Sequence, residues 1–270
     1  MRRARRTLAL LAACLLSHGV LAADDATHLT GGHPPAGQEE ARAPMIVAPH
    51  LARPARHANF AAESASDDVR HVADWVVDAG DNQRLPFLIV DKKNARVFAF
   101  ASTGELRGAA AALLGMAPGD DSSPGIGQRN LSAIAPGERT TPAGRFVANL
   151  DRDLHGQEIL WIDYDTAIAL HRVVTRNPRE RRAERLASST IEDKRISWGC
   201  VNVPAAFYDK FVSPAFRKTN GIVYILPDTR SVSETFGSYD VDEHARQAAA
   251  AALASPTRSI QQSERTIRLR

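Results

Sequence analysis

The sequence predicts a mainly β fold with short helices, an α+β domain. Two observations carry this. From Leu85 onward, short apolar runs alternate with turn residues at hairpin spacing. The helix-period stretches are few and brief. The chain has 270 residues, of which 44% are hydrophobic, enough for one sizeable domain with a real core. Only 6% are aromatic, so the core is expected to rest on Val, Ile, Leu and Ala.

The elements follow in order. Val69 to Ala79 suits a short helix that Gly80 would stop. Pro86–Asp91 reads as a strand, Asp91–Asn94 as a turn, Val97–Phe100 as a second strand, and Thr103–Gly104 as a second turn. Residues 117–137, rich in Gly and Pro, read as a long exposed loop. Arg145–Ala148, Ile159–Ile162 and Ala167–Leu170 are further strands. Residues 172–195 break this rhythm, with eight Arg or Lys against four Asp or Glu. Pro204 fits the first turn of a helix through Ala205–Val212. Asn220–Gly221 is a turn and Ile222–Leu226 a last strand. The remainder is polar and Ala-rich, with a helix expected over Glu243–Ala254.

The flanks read differently. Residues 1–23 have the plan of a secretory signal peptide: the basic run Met1–Arg6, an apolar stretch to Leu16, then Ala22 and Ala23. That apolar stretch is too short for a transmembrane span. Export, to the periplasm, is the expectation. A second reading takes Leu11-Ala12-Ala13-Cys14 as a lipoprotein processing site, which would anchor a lipid on Cys14. Residues 24–68 are expected to be a disordered linker, 69–227 the functional domain, and 228–270 a polar tail.

Charge excludes one class of partner. The whole chain is formally +3, but residues 1–22 contribute four Arg and no acid. Their removal leaves −1, so a nucleic-acid partner loses its main support.

Two cysteines are present, and signal removal leaves only Cys200. A lone thiol in an oxidising compartment is a hazard unless it is buried or used. A cysteine attacks carbonyls as thiolate, so it needs a base, and backbone N–H donors must hold the oxyanion that forms. Ser197-Trp198-Gly199-Cys200 suits that need, since Gly199 lets the chain turn sharply and present amides. Nine histidines are present, and two lie inside the domain near strands: His155 in a turn, and His171 closing a strand. Their positions favour His171 but leave His155 open.

Thr141-Pro142-Ala143-Gly144-Arg145-Phe146, a strand closed by His171, and Ser197-Trp198-Gly199-Cys200-Val201-Asn202 together resemble the catalytic domain of L,D-transpeptidases of the YkuD type. The resemblance spans Leu85 to Pro227, about half the chain. It implies a curved, mixed β-sheet around the active site. It also implies a Cys200 nucleophile, a His171 base, and an oxyanion hole of backbone amides around Ser197, Trp198, Gly199 and Cys200. The implied substrates are peptidoglycan stem peptides: the thiolate is acylated with release of D-alanine, and the acyl group passes to an amine or to water. No metal or organic cofactor is implied. Arg172, Asn202 and Arg182 are further candidates for substrate contact.

Three departures stand out. Trp198 occupies a position where the family usually has His, and Arg172 follows His171 where Gly is common. The 28 residues between His171 and Cys200 form a long, charged connection. Two rival readings stay open: another cell-wall cysteine peptidase, and a non-catalytic wall-binding scaffold.

Overall fold

The computed structural model describes residues 53–254. The expected signal segment, Cys14, residues 24–52 of the linker and residues 255–270 of the tail lie outside them.

The described chain begins with irregular residues, then helix α1 (Asp67–Ala79), strands β1 (Phe87–Asp91), β2 (Arg96–Phe100), β3 (Leu106–Ala111) and the short β4 (Leu114–Gly115). After the loop come β5 (Gly144–Arg152), β6 (Glu158–Asp163) and β7 (Ile168–Arg172). The charged insertion carries helix α2 (Arg182–Ala187) and leads into β8 (Arg195–Ser197) and β9 (Val201–Val203). A continuous helical segment follows: α3 (Ala205–Phe207), a π-turn over Tyr208–Val212, and α4 (Ser213–Phe216). Strand β10 (Gly221–Ile225) and helices α5 (Val232–Phe236) and α6 (Val241–Ala254) complete it.

Eight strands form one mixed sheet in the order β3-β2-β1-β10-β5-β6-β7-β9, and β4 pairs with β8. Only β1–β10 and β7–β9 are parallel within the large sheet. Register shifts in β2–β3 and β6–β7 bend it. A bridge between Leu113 and Asn202 ties the last strand to the β4 segment. The mixed β architecture with short helices is the fold class expected from the sequence.

The local reasons are plain. Ser66 caps α1 by accepting the Val69 amide, and Gly80, at φ 70°, ends it in the left-handed conformation. Strand β1 is buried at every position because both its faces are covered. Leu88 and Val90 enter one core with residues of β6, β7 and the 205–216 helix. Phe87 and Ile89 enter a second core under α1. That second core adds rings to the aliphatic residues expected: Phe60, Phe87 and Phe100 form a ring cluster, and Trp75, Tyr224 and Phe236 extend it. Half of the chain's 16 aromatics are concentrated there.

The packed body extends past 69–227 in both directions. Phe60 is buried, and Asn59 bridges to Glu105 at the sheet edge. Val232 and Val241, from the expected tail, are buried in the aromatic core. Each supplies an apolar anchor, joined by Phe236 and Tyr239, in a stretch whose other residues are polar or small. The 117–137 loop winds into three 3₁₀ turns and buries Ile126 and Ile134. Pro204 caps the 205–216 helix rather than occupying its first turn.

One buried charge cluster shapes the site from behind. Lys92, at the end of β1, has no exposed side-chain surface. Its ammonium donates to the Gly119 and Thr141 carbonyls and to Asp120 Oδ1, and lies 3.6 Å from Asp228. Burial raises the Asp120 pKa, but Thr229 Oγ1, the Arg230 and Asp228 amides and Lys92 outweigh it and hold the carboxyl far below its usual range. Arg195 closes the cluster on Asp228 at 2.8 Å. The same Thr141 that accepts Lys92 turns its hydroxyl onto the Gly199 carbonyl at 2.7 Å.

Candidate active site

The nucleophile candidate sits at a turn only glycine can make. Gly199 has φ 130°, and a Cβ there would lie 2.6 Å from Ile168 Cδ1 and 2.9 Å from the Thr140 carbonyl. The turn is clamped on both sides. Thr141 Oγ1 donates to the Gly199 carbonyl and accepts the Gly115 amide. Ser197 Oγ donates to the Cys200 carbonyl at 2.6 Å and accepts the Gly199 amide at 3.1 Å. This alters the expected oxyanion hole. The Gly199 N–H is satisfied by Ser197, and Ser197 is buried, so both act as braces. Trp198 lies under the Arg139 guanidinium, 3.5 Å from its ring centroid.

Strand alternation builds the cleft. Along β7, Ile168 and Leu170 point into the core, while Ala169 and His171 face outward, joined by Ala167 from the turn before the strand. Along β6, Leu160 and Ile162 point in, and Ile159 and Trp161 face out. Cys200 joins these outward residues in a cleft of about 430 Å³. His171 and Cys200 therefore share one cavity. The β5–β6 turn adds His155, Asp153 and Leu154 to its rim, and the start of the insertion adds Arg172, Val174 and Arg176. Leu154 is fully exposed.

The Cys200 thiol donates to the Ala167 carbonyl at 3.7 Å. Ala167 has φ 56°, a costly conformation for a residue with a Cβ, directly beside the sulfur. Burial pushes the Cys200 thiol pKa up, offset in part by the Ala169 backbone and the charge of Arg182. Burial pushes the His171 pKa down. The hydrogen bond to Arg172 opposes that, and the Arg182 charge reinforces it. Both groups are thus held in their neutral forms near neutral pH.

The His171 tautomer follows from its partner. Nδ1 lies 2.8 Å from the Arg172 carbonyl oxygen, which can only accept. In the neutral ring Nδ1 carries the proton and Nε2 has the lone pair.

The remaining expected residues sort by what they touch. Arg172 lines the cleft, but its guanidinium is held by Asp209, the Glu158 carbonyl and the Tyr208 ring. Asn202 is fully buried: it accepts Arg182 Nη1 at 2.8 Å and donates to the Cys200 carbonyl at 3.2 Å. It braces the site and presents nothing to a ligand. Arg182 is turned inward and held also by Glu180. Sequence reasoning missed Ala167, Ala169, Trp161 and Leu154 as cleft residues. The strand alternation that placed His171 would have found the first three; the exposed turn residue Leu154 gave no signal. Among the described residues, no group of three or more His, Cys, Asp or Glu is arranged to hold a metal ion, and no helix is long and apolar enough to cross a membrane.

No family model matches the chain, and no curated protein does. Among solved structures, an L,D-transpeptidase (residues 123–326) from Xylanimonas cellulosilytica aligns with it at 16% identity and a TM-score of 0.32. The alignment covers 52% of this chain and 60% of that one, and a likeness this distant leaves function to the site's own chemistry.

Proposed function

We propose that the protein is a cysteine acyltransferase of the cell wall, an L,D-transpeptidase acting on peptidoglycan stem peptides outside the cytoplasm. The observation that carries this reading is the shared cleft: a thiol and an imidazole with its Nε2 lone pair free, on one apolar-walled cavity. His171 Nε2 takes the thiol proton as the sulfur turns from the Ala167 carbonyl. The thiolate attacks the carbonyl at the L-centre of the stem's diamino acid, and with the Gly199 amide held by Ser197 the oxyanion falls to the Cys200 amide. His171 returns the proton to the departing D-alanine amine, leaving a thioester. An amine of a second stem then forms a cross-link, or water releases the shortened peptide.

Incubation with a purified disaccharide-tetrapeptide tests this. Mass spectrometry should find free D-alanine together with a cross-linked dimer or a disaccharide-tripeptide. A carbapenem, acylating the same thiol, should add its mass at Cys200. No turnover and no adduct at a thiol that still titrates with DTNB would leave the non-catalytic scaffold as the better reading.

A further inference from the structure

We propose that Arg182, carried inward by the 172–195 insertion, is a positioning residue that readies Cys200 for attack, through Asn202 and through its own charge. This rests on Cys200 being the nucleophile.

Arg182 differs from its neighbours on the insertion. Its side chain is 12% exposed, while Arg176, Arg179 and Arg181 face solvent. Glu180 holds its Nε, and its Nη1 donates to Asn202 Oδ1 at 2.8 Å. An arginine only donates and a carbonyl only accepts, so the Asn202 amide has one orientation: oxygen to Arg182, nitrogen to the Cys200 carbonyl. Glu180, Arg182, Asn202 and the Cys200 backbone thus form one connected line. With Ser197 on the same carbonyl, the residue carrying the sulfur is fixed from two directions.

The charge matters as much as the clamp. Arg182 stands behind the cleft wall, and the charged or titratable groups lining the cleft besides Cys200 and His171 are Arg172, Arg176, Asp153, Glu158 and His155. Arg172 is taken up by Asp209 and Glu158. Asp153 is tied to the His155 and Gln157 amides, and its charge favours protonated His171. Among the described residues, Arg182 is the cation whose charge acts on both Cys200 and His171. It favours the thiolate and disfavours the imidazolium, so the base stays free while the nucleophile is easier to ionise.

The test is the pH profile of Cys200 alkylation by iodoacetamide in the full chain, read at the Cys200 peptide by mass spectrometry. Arg182→Gln keeps a donor for Asn202 and loses the charge. Its alkylation midpoint should move up, slowing the reaction near neutral pH by about tenfold, the effect of one pKa unit. Arg182→Lys keeps the charge without the fork and should recover only part of that loss, leaving alkylation near neutral pH about two- to fivefold below wild type. Arg185→Met removes a cation from the same helix that faces only the Glu180 and Asp193 carbonyls, and should leave the midpoint in place. A wild-type midpoint in Arg182→Gln, or an equal shift in Arg185→Met, overturns the proposal, because a residue that only anchors the insertion would move melting and not titration. If Arg182→Gln does not melt cooperatively, Arg182→Lys decides: alkylation near neutral pH should fall two- to fivefold, and an unchanged profile refutes the role. No wall fragment enters this assay, so its failure is distinct from failure of the transpeptidase reading, which the carbapenem adduct reports.

Discussion

Two buried, charge-rich regions meet at the Gly199 turn, and they treat ionisable groups in opposite ways. Behind the turn, Lys92, Asp120, Asp228 and Arg195 surround one another, and backbone amides and carbonyls complete nearly all their hydrogen bonds. Burial, with a further push from the Arg195 charge, lowers the Lys92 pKa, and the two carboxylates oppose it. In front of the turn, Cys200 and His171 are also desolvated, but among the described residues no carboxylate forms a hydrogen bond or ion pair with either one. Burial there leaves both neutral with one reactive atom each open to the cleft. Satisfied partners make a buried charge part of the scaffold, and missing partners leave a group available for proton transfer.

Substitutions should separate the two regions. The largest effect belongs to the cleft: Cys200→Ala should abolish turnover while the melting curve stays cooperative. His171→Ala should lower kcat/KM by roughly 10²–10⁴-fold, the range for losing a positioned base, and His155→Ala by far less. The opposite order of the histidines would mean that the rim histidine is the base.

The scaffold should show the reverse pattern. Lys92→Met leaves Asp120 and Asp228 without their shared cation, and removing one partner of a buried pair costs about 3–5 kcal/mol. Denaturant unfolding should record that loss. A loss below about 1 kcal/mol would put the cluster in the class of weak surface pairs and remove the contrast drawn above.

The pH dependence sharpens the cleft side. The folded His171 pKa lies below the ordinary imidazole value of about 6.5. The acid limb of kcat/KM should therefore fall below that value. The sign for stability agrees: an unfolded imidazole binds its proton first, so the contribution of neutral His171 is present above about 6.5 and is lost as pH falls toward the folded pKa. An acid limb at 7 or above would mean that burial does not govern this ring.

Much of this was legible in the sequence because it depends on local rules. The β1–β2 hairpin, the α1 stop at Gly80, and the strand that turns His171 outward follow from period and turn chemistry. Pairings across long sequence distances were not legible. Nothing in Lys92 announces Asp120 and Asp228, and the isolated apolar residues of 228–241 show no period that marks Val232 and Val241 as core anchors. The Ser197 hydroxyl takes up the Gly199 amide through a turn geometry that residue identity alone does not specify. The insertion's arginines read as one class, although the fold divides them.

That division gives the smallest expected effect. Arg182 and Arg185 are held by Glu180, Asn202 and Asp193. Arg176, Arg179 and Arg181 are exposed, and Arg176 borders the cleft. If the insertion meets stem-peptide carboxylates, these three do so, since a free guanidinium fork donates two parallel hydrogen bonds to a carboxylate. The triple variant Arg176→Gln, Arg179→Gln, Arg181→Gln should raise KM for stem peptide several-fold at low salt, with kcat little changed. The difference should shrink as salt screens exposed charges beyond a Debye length of about 8–10 Å. Acylation by a small carbapenem, which needs the thiol and its oxyanion donor, should proceed at the wild-type rate. A wild-type KM at low salt would make the exposed arm of the insertion a solvated loop, leaving Arg182, through Asn202, as its link to Cys200.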